Sequence, residues 1–189
     1  MTDRGLRDLL REVFNDLGDV LDGVDDAEVR ALTDRILQSQ RIFVAGRGRS
    51  GLQMRGFAMR LHHLGRTAFV VGETTTPPIA KGDLLIVGSG SGETSTLLPL
   101  VERARLVGAG TALLTADLES RLARLADRVV RIPAPASRMD PFQHGAPILP
   151  MGSMFECSLA LLFEVVVLQL MAATGMSVKE MFARHADLE

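Results

Sequence analysis

The sequence predicts a single α/β domain: a three-layer α/β/α sandwich built on a five-stranded, flavodoxin-like parallel sheet. Short apolar runs alternate with amphipathic helical segments, which is typical of an open parallel sheet covered by helices on both faces. Leu84–Val87 is the clearest strand, because an uninterrupted apolar run indicates burial on both sides. A chain of 189 residues, 47% of them hydrophobic, is long enough to bury one sizeable core.

Two helices are predicted ahead of the sheet. The domain from 1 to 189 then divides into a helical arm at 1–39, an α/β core at 40–175, and a C-terminal helix and tail at 176–189. Apolar residues recur at helical spacing along the arm in two stripes, which are separated by a break at 23–26. An exposed arm of this kind often packs on a partner subunit, and we expect the same here.

Five strands follow in order, each a short apolar run that ends in glycine or polar residues. A helix that runs to about Leu64 follows the first strand, and a short helix at 120–125 separates the last two strands. The helix after the third strand is expected to begin directly behind its polar turn. The predicted strands cover residues 41–45, 67–71, 84–87, 111–114 and 128–132.

The connection at 133–150 is long and rich in proline, which indicates a functional or disordered irregular segment. A long apolar helix is predicted next, over Ser153–Gly175, with the glycine as a good C-terminal cap. Ser158–Thr174 is the best candidate for a membrane span, but it is short and contains Glu164 and Gln169. We therefore expect a helix that is buried in the fold or at a subunit interface, and no membrane association.

Composition argues against several classes of function. A net charge of −2 and a pI near 6.1 do not favour nucleic acid or anionic membranes as partners. The absence of Trp and Tyr leaves few platforms on which bases could stack. Cys157 is the sole cysteine and the N-terminus lacks the apolar core of a signal peptide, so a cytoplasmic location is expected.

Two polar turns follow the first and third strands, at 46–51 and 89–94. Both turns combine glycines with hydroxyl residues and precede helices. The unpaired N–H groups and the dipole of a helix N-terminus favour anions, and the carboxyl ends of parallel strands open on one edge of the sheet. We therefore predict a phosphate site between these two turns.

The turn at 46–51 also matches the G-x-G-x-x-G spacing of a dinucleotide site, with Glu73 about far enough along the chain to contact a ribose. Arg47 and Arg49 place two cations in this turn, which suits a phosphate monoester better than a pyrophosphate. Besides a phosphate site and a dinucleotide site, the third possibility is a tight turn with exposed arginines that binds no ligand.

Together the turns Gly-Arg-Gly-Arg-Ser-Gly and Ser-Gly-Ser-Gly-Glu-Thr resemble the sugar isomerase (SIS) domain family over about residues 35–175. In that family the two turns hold a sugar phosphate, so the resemblance implies that Ser50, Ser89, Ser91 and Thr94 supply the phosphate hydroxyls. The full set expected at the substrate is Arg47, Gly48, Ser50, Glu73, Ser89, Gly90, Ser91 and Thr94.

Segments at 71–77, 150–156 and 184–189 resemble the branch of the family that isomerises hexulose 6-phosphates, and extend the similarity over almost the whole chain. This implies interconversion of 3-hexulose 6-phosphate and fructose 6-phosphate in formaldehyde assimilation, without metal or organic cofactor. The family also implies oligomers, commonly tetramers and otherwise dimers, with sites near subunit interfaces. A phosphosugar-binding regulator without catalysis, or an isomerase of another phosphosugar such as arabinose 5-phosphate, stays open as an alternative.

Moving a carbonyl from C3 to C2 requires a base that removes the C2 proton and returns a proton to C3. Glu156, in the first turn of the last long helix, is the candidate, although an acid there could simply complement the helix dipole. His185 could reach a site, its own or that of a neighbouring subunit, to open the ring or to protonate an oxygen, or it could be part of an ordinary tail. The histidines show no metal-ligand spacing.

Of the two arginines, Arg47 is preferred on the ligand side, since a turn rarely aims two neighbouring side chains at one point. Thr74–Thr76 and Glu73 could contact sugar hydroxyls. A carboxylate beside a bound dianion would repel it, so we predict that Glu93 turns away from the ligand toward the backbone or a basic partner.

Overall fold

The computed structural model describes residues 4–135 and 148–187. Its five strands form one parallel sheet in the order β2-β1-β3-β4-β5, which confirms the predicted flavodoxin-like α/β fold. The observed strands agree with the predicted strands to within about a residue at most ends. The strands are β1 (Ile42–Gly46), β2 (Ala68–Val70), β3 (Leu84–Gly88), β4 (Gly110–Thr115) and β5 (Arg128–Arg131).

The helices form two layers. Residues of α1, α2, α3, α6 and α7 share one core with one face of the sheet, and those of α4 and α5 share a second core with the other. The helices are α1 (Leu6–Asp22), α2 (Asp26–Gln38), α3 (Gly48–His63), α4 (Leu98–Leu106), α5 (Arg121–Leu125), α6 (Ser153–Thr174) and α7 (Val178–Phe182).

Strand residues alternate between the two cores, as the period of a β-strand requires. In β1, Ile42 and Val44 face the core on the α3 side, whereas Phe43 and Ala45 face the core on the α4 side. Both faces are therefore buried, which explains why the central strands are apolar without interruption.

The helical arm packs on its own domain through its C-terminal part. Leu17 and Val20 of α1 are buried in the core that contains α6. Leu6 and Phe14, nearer the start of α1, are 73% and 67% exposed. The apolar stripe of α1 therefore divides into a part buried within the chain and a part that faces outward.

α6 is the one helix in the described residues that is long and apolar enough to cross a membrane, with 22 residues. One side of it, which includes Leu162, Val166 and Leu170, is buried against the core. Leu168 on the outer side is 63% exposed. Within the described residues, the helix is thus a core element on one face and an exposed apolar surface on the other.

α3 and α6 run side by side in the same direction. The rings of Phe57 and Phe163 stack with centroids 4.0 Å apart, and both side chains are almost completely buried. Further along the same pair, Arg60 donates two hydrogen bonds to the carboxylate of Glu164. This packing fixes where α6 begins, because its first turn lies beside the first turn of α3.

The segment after β3 differs from the prediction in one respect. The polar turn is followed by a 3-10 turn at Ser95–Leu97, and α4 begins only at Leu98 with a proline at its second position. The predicted direct entry into an α-helix was therefore wrong. N–H groups near the polar turn belong to the turn itself and to a 3-10 segment.

The polar turn after β3 is braced against α5. Arg121 donates to Glu93 from its backbone nitrogen at 2.7 Å and from Nε at 2.5 Å. These hydrogen bonds lower the pKa of Glu93 below its ordinary value. The prediction that Glu93 turns toward a basic partner is confirmed.

Replacing Phe57 with alanine should cost about 3–5 kcal/mol in the free energy of unfolding, because it removes a buried ring from the α3–α6 contact. Urea denaturation at fixed protein concentration measures the loss. Leu106→Ala, at a side chain that is 78% exposed on α4, is the control and should change stability little. Equal losses in the free energy of unfolding of the two variants would contradict the importance of the α3–α6 contact for stability.

The Glu93–Arg121 contact should stabilise the fold only while the carboxylate is charged. Since the folded pKa of Glu93 lies below the ordinary 4.5, this contribution is present above pH 4.5 and is lost as the pH falls through the folded pKa. The stability difference between wild type and Glu93→Gln should therefore shrink on acidification, as followed by urea unfolding over a pH series. Glu119→Gln, which removes the longer ion pair with Arg124 at 3.7 Å, is the control in the same series. A Glu93 difference that stays constant with pH would refute the contact.

Candidate functional site

A cavity of about 740 Å³ opens at the carboxyl edge of the sheet. It lies beside β1 and β3, where the strand order reverses direction, and this is where ligands bind in open α/β sheets. Its volume is in the range of ligand pockets. The lining residues are Arg47, Ser50, Gly88–Ser91, Glu93, Thr94, Ala116, Asp117, Ala134, Pro135, Met151, Gly152, Phe155 and Glu156.

The turn after β1 is shaped by two glycines in backbone contact. A Cβ on Gly46 would lie 2.9 Å from the Cα of Gly51, so neither position has room for a side chain. This close approach places Ser50 at the cavity, in the first turn of α3. The helix has two arginines at its start and no acidic residue in its first turn, so its positive end attracts an anion.

The turn after β3 supplies a compact set of hydroxyl groups. Ser89 is buried and its Oγ lies 3.1 Å from Oγ1 of Thr94, while Ser91 accepts a hydrogen bond from the backbone of Glu93. Gly92 has φ +60°, and a Cβ there would lie 1.9 Å from Oγ of Ser120. The turn therefore packs against the start of α5 on one side and presents its hydroxyls to the cavity on the other. This arrangement is suited to binding an oxyanion.

Glu156 faces these turns from the first turn of α6, as the sequence predicted. Gly152 precedes this helix in a left-handed conformation with φ +83°. The side chain of Glu156 is only 13% exposed, and its Oε2 is buried without a hydrogen bond in the described structure. Burial raises the pKa of Glu156, and the nearby charge of Arg49 opposes this shift.

The two arginines of the turn after β1 have different surroundings. Arg47 lines the cavity, and its Nε donates to Oγ1 of Thr96 at 3.2 Å. Arg49 does not line the cavity; it contacts Ser153 and Glu156 of α6 instead. The geometry supports the sequence-based preference for Arg47 on the ligand side.

Most of the expected substrate residues meet at the cavity, but two do not. Arg47, Ser50, Ser89, Gly90, Ser91 and Thr94 line it, together with Glu156. Gly48, with φ +55°, is the first residue of α3 and is not among the lining residues. Glu73 follows β2 and pairs with Arg55 of α3, so its carboxylate is engaged outside the cavity.

His185 lies far from Glu156 within the same chain. α6 spans about 33 Å, and His185 follows it at the opposite end, where its ring stacks on His63 with centroids 5.2 Å apart. The pKa of His63 is lowered, first by burial and then by the charge of His185. Most of the 133–150 connection, including its histidine His144, lies outside the described residues.

Sequence reasoning missed several residues of the site. Asp117 follows β4 and lines the cavity, and its position at a strand end was a usable signal. Thr96 and Ser153 could not be found in this way, because their importance comes from contacts with arginines far away in sequence. No cluster of metal-ligating side chains occurs within 4–135 and 148–187.

Comparison with known proteins gives a consistent result. A model of the SIS domain matches residues 35–156. The 3-hexulose-6-phosphate isomerase of Bacillus subtilis (strain 168) is 42% identical over 178 residues, which cover 94% of this chain and 96% of that protein. The protein of the same name from Mycobacterium gastri is 45% identical over 179 residues, which cover 94% and 88%.

A solved structure agrees with these relatives. The crystal structure of a Methanococcus jannaschii protein, inferred to have the molecular function of 3-hexulose-6-phosphate isomerase, superposes with a TM-score of 0.83. It is 32% identical in sequence, and the match covers 95% of this chain and 98% of that one. The two polar turns, the strand order and these relatives agree: the chain belongs to the SIS (sugar isomerase) domain family.

Proposed function

We propose that this protein is an isomerase that interconverts 3-hexulose 6-phosphate and fructose 6-phosphate through an enediolate. The observation that carries the proposal is the cavity itself, where hydroxyl-rich turns and the largely buried carboxylate of Glu156 line the same space. Relatives named 3-hexulose-6-phosphate isomerase, at 42–45% identity over nearly the whole chain, support this substrate. A cytoplasmic location, expected from the single cysteine, is part of the proposal.

The phosphate end of the substrate is assigned to the two polar turns. Ser50, Ser89, Ser91 and Thr94 can donate hydrogen bonds, and Arg47 contributes a guanidinium that has no carboxylate partner in the described residues. Charge-assisted hydrogen bonds of this type are about twice as strong as neutral ones. The turns thus anchor the anion and leave the sugar carbons to extend toward α6.

The chemical step is assigned to Glu156. Its carboxylate removes the proton from C2 of 3-hexulose 6-phosphate, and the C–H electron pair becomes part of the C2–C3 enediolate. A proton moves between the two oxygens, and the same carboxyl group returns a proton to C3, which leaves the carbonyl at C2. One carboxylate can serve both steps because C2 and C3 are adjacent.

The environment of Glu156 suits a general base. A carboxylate with an ordinary pKa is a weak base at neutral pH, and a raised pKa makes proton removal from carbon more favourable. Burial raises the pKa of Glu156, and the positive charge of Arg49 opposes this shift. The same residue can then act as acid in the second step.

The exposed apolar faces of the helices support a homo-oligomer, a tetramer or a dimer. Side chains on α1, α3 and α6 form outward apolar surfaces on a chain whose core is already filled, and exposed apolar patches mark protein interfaces. These side chains are Leu6, Phe14, Leu52, Met59, Leu161, Val165 and Leu168.

His185 is assigned to the site of a neighbouring subunit rather than to its own. Within one chain, His185 lies beside His63, beyond the C-terminal end of α6, whereas Glu156 lies in the first turn of that helix. Its side chain is exposed, and a neighbouring subunit packed on the apolar faces could present this imidazole at the cavity edge. There it could open the sugar ring or protonate an oxygen.

The purified protein should convert 3-hexulose 6-phosphate to fructose 6-phosphate, and Glu156→Gln should lower kcat by roughly 10²–10⁴-fold. KM should stay nearly unchanged, because the amide keeps the shape of the carboxyl group. A coupled assay that follows fructose 6-phosphate measures both constants.

Glu164→Gln on the same helix is the control, since its carboxylate pairs with Arg60 away from the cavity. It should leave kcat unchanged. Turnover of a pentose phosphate without turnover of 3-hexulose 6-phosphate would contradict the proposed substrate. Binding of phosphosugars without any turnover would indicate a sensor.

If His185 completes the site of a neighbouring subunit, a His185 variant and a Glu156 variant should complement each other in mixed oligomers. His185→Ala and Glu156→Gln should each have low activity alone. Unfolding and refolding the two variants together should restore activity, because mixed oligomers contain sites with an intact Glu156 and an intact neighbouring His185. Sedimentation checks that oligomers re-form. Full activity of His185→Ala by itself, or no recovery in verified mixed oligomers, would exclude the assignment.

A further inference from the structure

We propose that Arg49 is a positioning residue, which bridges Ser153 and Glu156 and holds the carboxylate so that Oε1 meets the substrate. The inference rests on the proposed function, since it concerns the same carboxylate. It gives a role to Arg49, for which the sequence predicted only that it is less suited than Arg47 to the ligand side.

The contacts of Arg49 go to one place, the first turn of α6. Nη1 donates to Oγ of Ser153 at 2.6 Å, and Nε lies 3.0 Å from Oε2 of Glu156. Ser153 is buried and is the first residue of the helix. A planar guanidinium fixed at one nitrogen by a buried hydroxyl has little freedom in where it points its other donors.

The carboxylate oxygens of Glu156 are therefore unequal. Oε2 is completely buried and accepts no hydrogen bond in the described structure, so its contact with Nε of Arg49 is an ion pair without hydrogen-bond geometry. Glu156 still lines the cavity. Oε1 is thus the carboxylate oxygen that a substrate carbon can approach.

The position of Arg49 argues against direct binding of substrate. Its side chain is 54% exposed, yet it is not among the residues that line the cavity, whereas Arg47 and Ser50 on either side are. A cation in the first turn of α3 is unfavourable with respect to the helix dipole. Glu156 compensates this cost, which links the start of α3 to the start of α6.

Other charges at the cavity do not replace this contact. Arg47, Glu93 and Asp117 also line it, but in the part of the chain that the structure describes Glu156 has its salt bridge with Arg49. Burial raises the pKa of Glu156 and Arg49 lowers it. Without Arg49 the carboxylate should become harder to ionise and free to change rotamer.

The test compares Arg49→Met, Arg49→Lys and the control Arg60→Met. Arg60 also joins α3 to α6 through a carboxylate, Glu164, but away from the cavity. Arg49→Met should lower kcat on the order of 10- to 100-fold through misplacement of the base. KM should be nearly unchanged, and the acidic limb of the kcat/KM profile should move to higher pH. Arg49→Lys keeps the positive charge but not the planar guanidinium that bridges Ser153 and Glu156. Compared with Arg49→Met, it should return the acidic limb part of the way toward its wild-type position without recovering the full kcat.

A second readout needs no substrate. In protein labelled with ¹³C at the glutamate carboxyl carbons, Glu156→Gln identifies the Glu156 signal, and its titration should shift upward in Arg49→Met but not in Arg60→Met. An unshifted titration would overturn the inference even if the enzyme isomerises 3-hexulose 6-phosphate. A large rise in KM with unchanged kcat would overturn it in favour of direct phosphate binding. A shifted titration in a protein that lacks hexulose-phosphate turnover would support the inference about Arg49 and reject the proposed function alone.

Discussion

The parallel packing of α3 against α6 is the constraint on which the site depends. Three contacts lie along this helix pair: the Arg49–Glu156 ion pair at its start, the Phe57–Phe163 stack in its middle, and the Arg60–Glu164 pair beyond. α6 begins more than a hundred residues after the turn that follows β1. The stacked rings hold the starts of α3 and α6 together. The carboxylate of Glu156 therefore lies at the edge of the sheet where the two polar turns open.

Two parts of the fold, the polar turns and α6, supply different groups to the site. The turns after β1 and β3 are closely packed through their glycines, as at Gly46 against Gly51 and at Gly92 against Ser120. They offer hydroxyls and N–H groups that suit an anion, and the carboxylate of Glu93 in the second turn is engaged by Arg121. The carboxylate of Glu156 comes from α6, and burial raises its pKa. In the proposed reaction, the base and the groups that bind the phosphate therefore belong to different elements of the fold.

Much of this arrangement could be predicted from the sequence, and the reasons are local. Each strand is a short apolar run, the two turns carry their own glycines and hydroxyls, and Glu156 and Gly175 mark the two ends of one apolar helix. What could not be predicted depends on pairing between distant residues. The contacts of Arg49 with α6 and the engagement of Glu73 by Arg55 are tertiary contacts that a single sequence does not display. The sequence also did not predict the 3-10 turn before α4.

In the proposed reaction, Glu156 exchanges a proton with carbon at C2 and C3 of a hexulose phosphate. Proton NMR of fructose 6-phosphate incubated with the protein in ²H₂O tests it directly, because an enediolate formed by this base allows solvent deuterium to enter C3. We predict exchange at C3 and not at C1, with a much slower rate in Glu156→Gln. Exchange at C1, or C3 exchange at the wild-type rate without the carboxylate, would contradict it.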